Sequence, residues 1–143
     1  MNDNQISKTD WDNILELCVD VANAHEKDNE LLADEKSKIV VATLDELLAK
    51  YGERASLLSV KSNFLEDEHE RTTLLEKAYA LAEKDNDNYT MAEVAWDLAW
   101  QYWRVLEDRN NAKLWNDRLG ICLKQVNDDY WQSEYEQMCR DLE

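Results

Sequence analysis

Apolar residues recur along this chain at helical spacing. Trp11, Leu15, Cys18 and Ala22 fall at i, i+4, i+7 and i+11, one face of a helix. Thr9 is its expected N-cap, Asp10 and Asp12 suit the positive end of the helix dipole, and the helix is expected to end near Ala24. The polar stretch from His25 to Glu30 reads as a turn. Val40, Leu44, Leu47, Leu48 and Tyr51 then mark a second helix running to about Tyr51. Gly52 follows where a left-handed C-terminal residue would sit.

Leu57, Val60 and Phe64 predict a shorter third helix, and Leu74, Leu75, Ala78, Leu81 and Ala82 a fourth. The acidic stretch Glu66 to Glu70 between them is the expected turn, although no strong breaker rules out one continuous helix. Asp85-Asn86-Asp87-Asn88 is the clearest loop, with Thr90 as the candidate cap of a fifth helix reaching about Glu107. Asp108 to Asn111 makes the next turn. Trp115, Leu119, Cys122 and Val126 mark the sixth helix, and Trp131, Tyr135, Met138 and Leu142 the seventh, which starts at Asn127-Asp128. Short polar connections predict antiparallel neighbours.

Composition supports the same class. Proline is absent from the 143 residues and glycine occurs only at Gly52 and Gly120. Sheets joined by tight turns draw heavily on both, whereas long helices avoid both. The fold class is therefore all-α, about seven helices in stacked antiparallel hairpins, and the length suits a single domain over residues 1–143.

Charge narrows the partners. Sixteen basic residues against 32 acidic ones give a formal net charge of −16. Such a field repels nucleic acid and anionic lipid and favours encounter with a basic protein, though it also serves solubility alone. No apolar run approaches the roughly 20 residues that span a bilayer. Met1-Asn2-Asp3-Asn4-Gln5 lacks the basic start and apolar stretch of a secretory signal. Cys18, Cys122 and Cys139 are odd in number and lie on apolar stripes. Buried thiols in a cytoplasmic protein are the expected setting.

The fifth helix has two apolar faces on a wheel of about 100° per residue. Trp96, Trp100 and Trp103 gather with Ala92 and Ala99, while Met91, Ala95, Leu98, Tyr102 and Val105 occupy a second arc. Glu93, Asp97, Gln101, Arg104 and Asp108 form a narrow polar strip. Such a helix is either sandwiched between neighbours or leaves one face to a ligand.

Leu98-Ala99-x-x-Tyr102, followed by Trp115, resembles the Leu-Gly/Ala-x-x-Tyr core and second-helix aromatic of the tetratricopeptide repeat family. Leu58, Ser59, Leu75 and Ala78 match a preceding unit in type and spacing, so the resemblance covers residues 55–126. Ser62, Arg71 and Arg118 depart from the pattern. The 40 residues from Leu58 to Leu98 also exceed the family's period of about 34. The resemblance implies stacked helix pairs, preceded by a hairpin over 1–52 and followed by a capping helix over 127–143. It further implies a concave binding surface at Glu93, Trp96, Trp100, Trp103 and Arg104. The carboxylate-clamp variants of the family place Lys and Asn where Trp96 and Trp100 stand, so clamping of a C-terminal carboxylate is not expected. An aromatic groove remains, rimmed by the acids Glu66, Asp67, Glu68 and Glu70. The other reading is that the N-terminal helices fill the groove and make these tryptophans core.

Catalytic constellations are not found. Glu66-x-x-His69 has the spacing of half a di-iron site but no second copy. Asp85-x-Asp87 opens like a calcium loop, yet lacks the central glycine and terminal glutamate. No glycine-rich phosphate loop exists, and only His25 or His69 could serve a nucleophile as base. No enzyme activity and no cofactor or metal are expected. The leading expectation is an acidic protein-interaction module that neutralises a basic partner, as an immunity protein does a bacterial toxin. The alternatives are a secretion or assembly chaperone holding a client segment in a repeat groove, and a nucleic-acid mimic.

Overall fold

The structure, a computed structural model, describes residues 5–143; Met1-Asn2-Asp3-Asn4, the start of the segment read above as carrying no secretory signal, lies outside the described residues. The chain forms α1 (Lys8–Glu26), α2 (Glu30–Tyr51), α3 (Ala55–Ser62), α4 (Glu68–Lys84), α5 (Asn88–Trp100), α6 (Arg109–Cys122) and α7 (Asp129–Asp141). A π-helical segment, Gln101–Val105, continues α5. Among the described residues there is no strand. The all-α class of stacked helices expected from the sequence is found.

Short polar side chains start these helices. Ser7, Asn29, Asp67, Asp87, Asp108 and Asp128 each accept the backbone N–H three residues on, satisfying a donor that the first turn leaves orphaned. Two expected caps are corrected. Ser7, not Thr9, caps α1, its Oγ accepting the Asp10 N–H at 3.1 Å. Asp87, not Thr90, caps α5; its carboxylate accepts both the N–H and the hydroxyl of Thr90. In each case a good capping residue stood two or three positions upstream of the expected one, and the helix used the earlier start. Asp67 separates α3 from α4, so the two are distinct helices. Helix ends move as well. α1 continues to Glu26, α6 begins at Arg109 just after Asp108, and Val126 lies beyond the end of α6.

Three hairpin turns share one device. Asp28, Asn86 and Glu107 adopt positive φ of 56°, 55° and 52°, each directly before the next N-cap. The Asn29 and Asp87 N–H groups reach back to the Ala24 and Ala82 carbonyls at 2.9 Å, while Asp28 and Asn86 bond to His25 and Glu83. These are Schellman closures. Asp and Asn tolerate the left-handed basin that glycine would otherwise occupy, which is how a glycine-poor chain turns here. Gly52 also has positive φ, 81°, but its ψ of −179° sends the chain out extended rather than left-handed.

The chain divides into two compact units, one ending at Phe64 and one beginning at Leu65. In the first, α1 and α2 form an antiparallel hairpin and α3 packs on α2. Ile14, Val21, Val40, Leu44, Leu47 and Leu57 make its core, with Trp11, Leu17, Cys18 and Tyr51 against it. The buried stripe of α1 is therefore Ile14, Val21 and Ala24. Leu15 and Ala22, expected to face inward, are exposed. The two apolar stripes of α1 lie side by side, and the core takes Ile14, Val21 and Ala24 fully while Trp11 and Cys18 of the expected stripe pack at its edge. Asp10 ties the hairpin ends together, accepting from Tyr51 Oη at 2.5 Å and Lys50 Nζ at 2.8 Å. Lys50 above all, then Tyr51, holds its carboxyl below the usual range.

In the second unit α5 is central, with α4 and α6 packed on it and α7 against α6 and α5. Small residues of α5 (Ala92, Ala95 and Ala99) are buried with Leu98, allowing close helix approach. Leu75, Ala78, Ala112, Trp115, Leu119, Trp131 and Met138 complete the core. Gly120 of α6 lies against the Tyr135 ring of α7: a Cβ there would stand 2.7 Å from it.

Candidate functional site

The three tryptophans of the α5 face differ in environment. Trp100 is 44% exposed, whereas Trp96 and Trp103 are partly buried. The indole N–H groups of Trp96 and Trp103 are buried without a hydrogen-bond partner. Trp100 thus offers an aromatic surface at the end of α5, flanked by two indoles that are mostly inside. Arg104 is exposed and stands 4.0 Å from the Asp141 carboxylate of α7. Glu93 is partly buried one turn before Asp97.

Part of the polar strip expected on this helix leaves the solvent. Gln101 is 4% exposed, and its side-chain oxygen accepts from Arg71 Nη1 of α4 at 3.4 Å. Asp97 is partly buried, and this burial, reinforced by the neighbouring Glu93 charge, pushes its carboxyl up to about 7. The fifth helix does not run uniformly to Glu107. It passes into the π segment after Trp100, where the Leu106 N–H bonds to the Gln101 carbonyl five residues back. The wider turn changes which way Trp103 and Arg104 face compared with an α-helical wheel.

The acidic rim residues Glu66, Asp67, Glu68 and Glu70 are all exposed. Asp67 is the cap of α4, and Glu68 and Glu70 lie in its first turn. Their placement suits the helix dipole as well as any partner.

A second site escaped the sequence reading. Across α4 and α6, the Tyr79 and Trp115 rings meet edge to face, their centroids 4.9 Å apart. The Arg118 guanidinium lies 4.3 Å from the Trp115 centroid and 5.8 Å from that of Tyr79. This cluster floors a cavity of about 410 Å³ lined also by Glu76, Ala80, Glu83, Asn111 and Leu114. A second cavity of about 360 Å³ adjoins it, sharing Tyr79, Glu83 and Arg118 and extending to Met91, Ile121 and Lys124. Burial pushes the Tyr79 phenol up to about 12, so it is neutral at any physiological pH and acts as apolar floor with one polar edge. Its signal in the sequence was the Arg118 departure from the repeat pattern. Only the tertiary contact between the two helices gives that arginine its aromatic bed.

The chemical groups weighed earlier are scattered. His25 Nδ1 lies 3.2 Å from the Glu30 carboxylate across the α1–α2 turn, and His69 is exposed near the start of α4. Among the described residues no three His, Cys, Asp or Glu side chains are grouped as a metal site needs. Cys122 is buried, Cys18 and Cys139 are partly buried, and all three are free thiols. No helix among the described residues is long and apolar enough to cross a membrane.

No protein-family model matches the chain, and neither a curated protein nor a solved structure matches it significantly.

Proposed function

We propose that this protein is an acidic interaction module that binds a basic partner protein and, in the manner of an immunity protein facing a cationic bacterial toxin, neutralises it. The observation that carries this reading is the net charge of −16. The carboxylates behind it include exposed groups such as Glu66, Glu68 and Glu70. A field of that sign raises the encounter rate with a cationic surface and costs stability through self-repulsion, a cost that a basic partner relieves on binding. Four aspartates serve as helix caps, so part of the acidity is structural.

Trp100 supports the reading from a second direction, since a half-exposed tryptophan is the residue type enriched in interface hot spots. Binding rather than catalysis is the activity proposed, and the partner would be met in the cytoplasm. Capture on the immobilised full-length chain from an extract of the source cell, followed by identification and a binding titration with the purified captured protein, tests it. A stoichiometric complex with a basic protein whose activity falls on binding is the expected result. A saturable complex with an acidic protein, or with an extended apolar client of a secretion system, would overturn the basic-partner reading.

A further inference from the structure

We infer that Cys139 is a site of oxidation by hydrogen peroxide, at which the α6–α7 contact receives the sulfenic hydroxyl on the Asn116 carboxamide. The inference goes beyond the proposed binding role and does not depend on it.

Two pairs of residues, each pair one helical turn apart, build the site. Asn116 and Gly120 lie on α6, Tyr135 and Cys139 on α7. The glycine admits the Tyr135 ring to the α6 backbone, where a Cβ would stand only 2.7 Å from it. One turn away, the helices are close enough for a short side chain to cross. Asn116 Nδ2 donates to Cys139 Sγ at 3.2 Å and to the Tyr135 carbonyl at 3.4 Å. Asn116 is 2% exposed, and its Oδ1 is buried with no hydrogen-bond partner among the described residues. Turning the carboxamide over would not cure this. Oδ1 would then face the Tyr135 carbonyl, acceptor against acceptor, and Nδ2 would become the orphan. The reduced protein therefore holds, beside its sulfur, a buried acceptor that lacks a donor.

Oxidation supplies that donor. Cys139 is only partly buried, so a small oxidant reaches it. Its thiol releases a proton to solvent, and the thiolate attacks one oxygen of hydrogen peroxide. The S–O bond forms as the O–O bond breaks; the sulfur is oxidised and the peroxide reduced. The departing hydroxide takes a proton from solvent and leaves as water. The sulfenic acid carries an O–H, a far better donor than the S–H of the thiol. Asn116 Oδ1 accepts it while Nδ2 keeps its bond to the sulfur. The Tyr135 hydroxyl stands at the same sulfur. Its hydrogen bond with Cys139, then burial, pushes the phenol up, so it retains its proton and donates to the departing oxygen.

Charge selects the oxidant. Asp117 and Glu136 lie near enough to act on Tyr135. Together with the net charge of −16 they disfavour anionic oxidants and acidic thiols such as glutathione, and leave a small neutral peroxide. The other two cysteines lack this setting. Cys122 is 3% exposed, and burial pushes the thiols of both Cys18 and Cys122 up, away from the reactive thiolate.

The test treats the purified full chain with hydrogen peroxide in the presence of dimedone, which traps sulfenic acid as a thioether, and maps the adduct by mass spectrometry. A parallel isotopically labelled sample without the trap follows the side-chain amide of Asn116 by NMR. The expected result is an adduct at Cys139 ahead of Cys18 and Cys122, with the Asn116 amide resonances moving as oxidation proceeds. Tyr135→Phe keeps the ring on Gly120 and should slow trapping at Cys139 about fivefold, the weight of one hydrogen bond, with the rate at Cys18 unchanged. An adduct at Cys18 first, or at Cys122 as fast as at Cys139, would show that exposure or global opening governs reactivity and would overturn the inference. So would the absence of an adduct at Cys139. An adduct there with an unmoved Asn116 amide would overturn the seat on α6, and an unchanged rate in Tyr135→Phe would overturn the part given to that hydroxyl.

Discussion

Asp97 is a carboxylate whose titration falls near neutral pH. Its folded-state pKa is raised from 3.8 to about 7 by burial and then by Glu93. Folding therefore favours the protonated form: the stability linked to Asp97 is fully present below pH 3.8 and is lost as pH rises through about 7. Asp97→Asn should remove this slope, so that the variant gains on the parent between pH 5 and pH 8, by about 2–4 kcal/mol at the upper end. Urea unfolding of both proteins at several pH values checks it; parallel curves would show that Asp97 is solvated. Two tryptophans give a second contrast at this scale. Trp115, 4% exposed and in contact with Tyr79 and Arg118, should cost about 3–5 kcal/mol as Trp115→Ala. Trp100, 44% exposed, should cost only about 1 kcal/mol on the same change, because much of its ring remains in water in the folded state. Thermal melts of the two variants separate them.

At the scale of the element, the turns carry the testable strain. Asn86 sits in the left-handed basin that asparagine tolerates, and Glu107 sits there without that tolerance. Glu107→Gly should therefore raise stability by about 0.5–1 kcal/mol, while Asn86→Gly should be close to neutral. Chemical denaturation of each variant reads the difference directly. The same turns show how far sequence reasoning reached. Asp85-Asn86-Asp87 was legible as a turn from its residue types alone. The cap within it was misplaced by three residues because Asp87 and Thr90 both have the chemistry of a cap, and Thr90 bonds to Asp87 instead of replacing it. The π segment after Trp100 had no signal, since it depends on how one helix end is packed rather than on local propensity.

For the whole molecule, charge makes the expectation. Raising salt from low to about 0.5 M should chiefly slow association with a basic partner, because the Debye length shrinks to a few Å. Dissociation should change much less, since desolvated contacts are weakly screened. Stopped-flow association and dissociation rates across that range decide it; a complex whose association rate ignores salt would remove steering from the account.

The sequence by itself determined the helical class, the order of the helices, the positions of most turns and the sign of the surface potential. Each of these follows from local chemistry: the absence of proline, Asp and Asn at helix starts, apolar spacing near 3.6 and the count of carboxylates. The tertiary structure alone decided which of two apolar stripes on α1 is buried, that Gln101 lies inside while Trp100 is half outside, and that Arg118 meets Trp115 and Tyr79. Those outcomes depend on which neighbour covers each face. A helix with apolar residues around most of its circumference carries no local record of that neighbour, because every face satisfies the same periodicity.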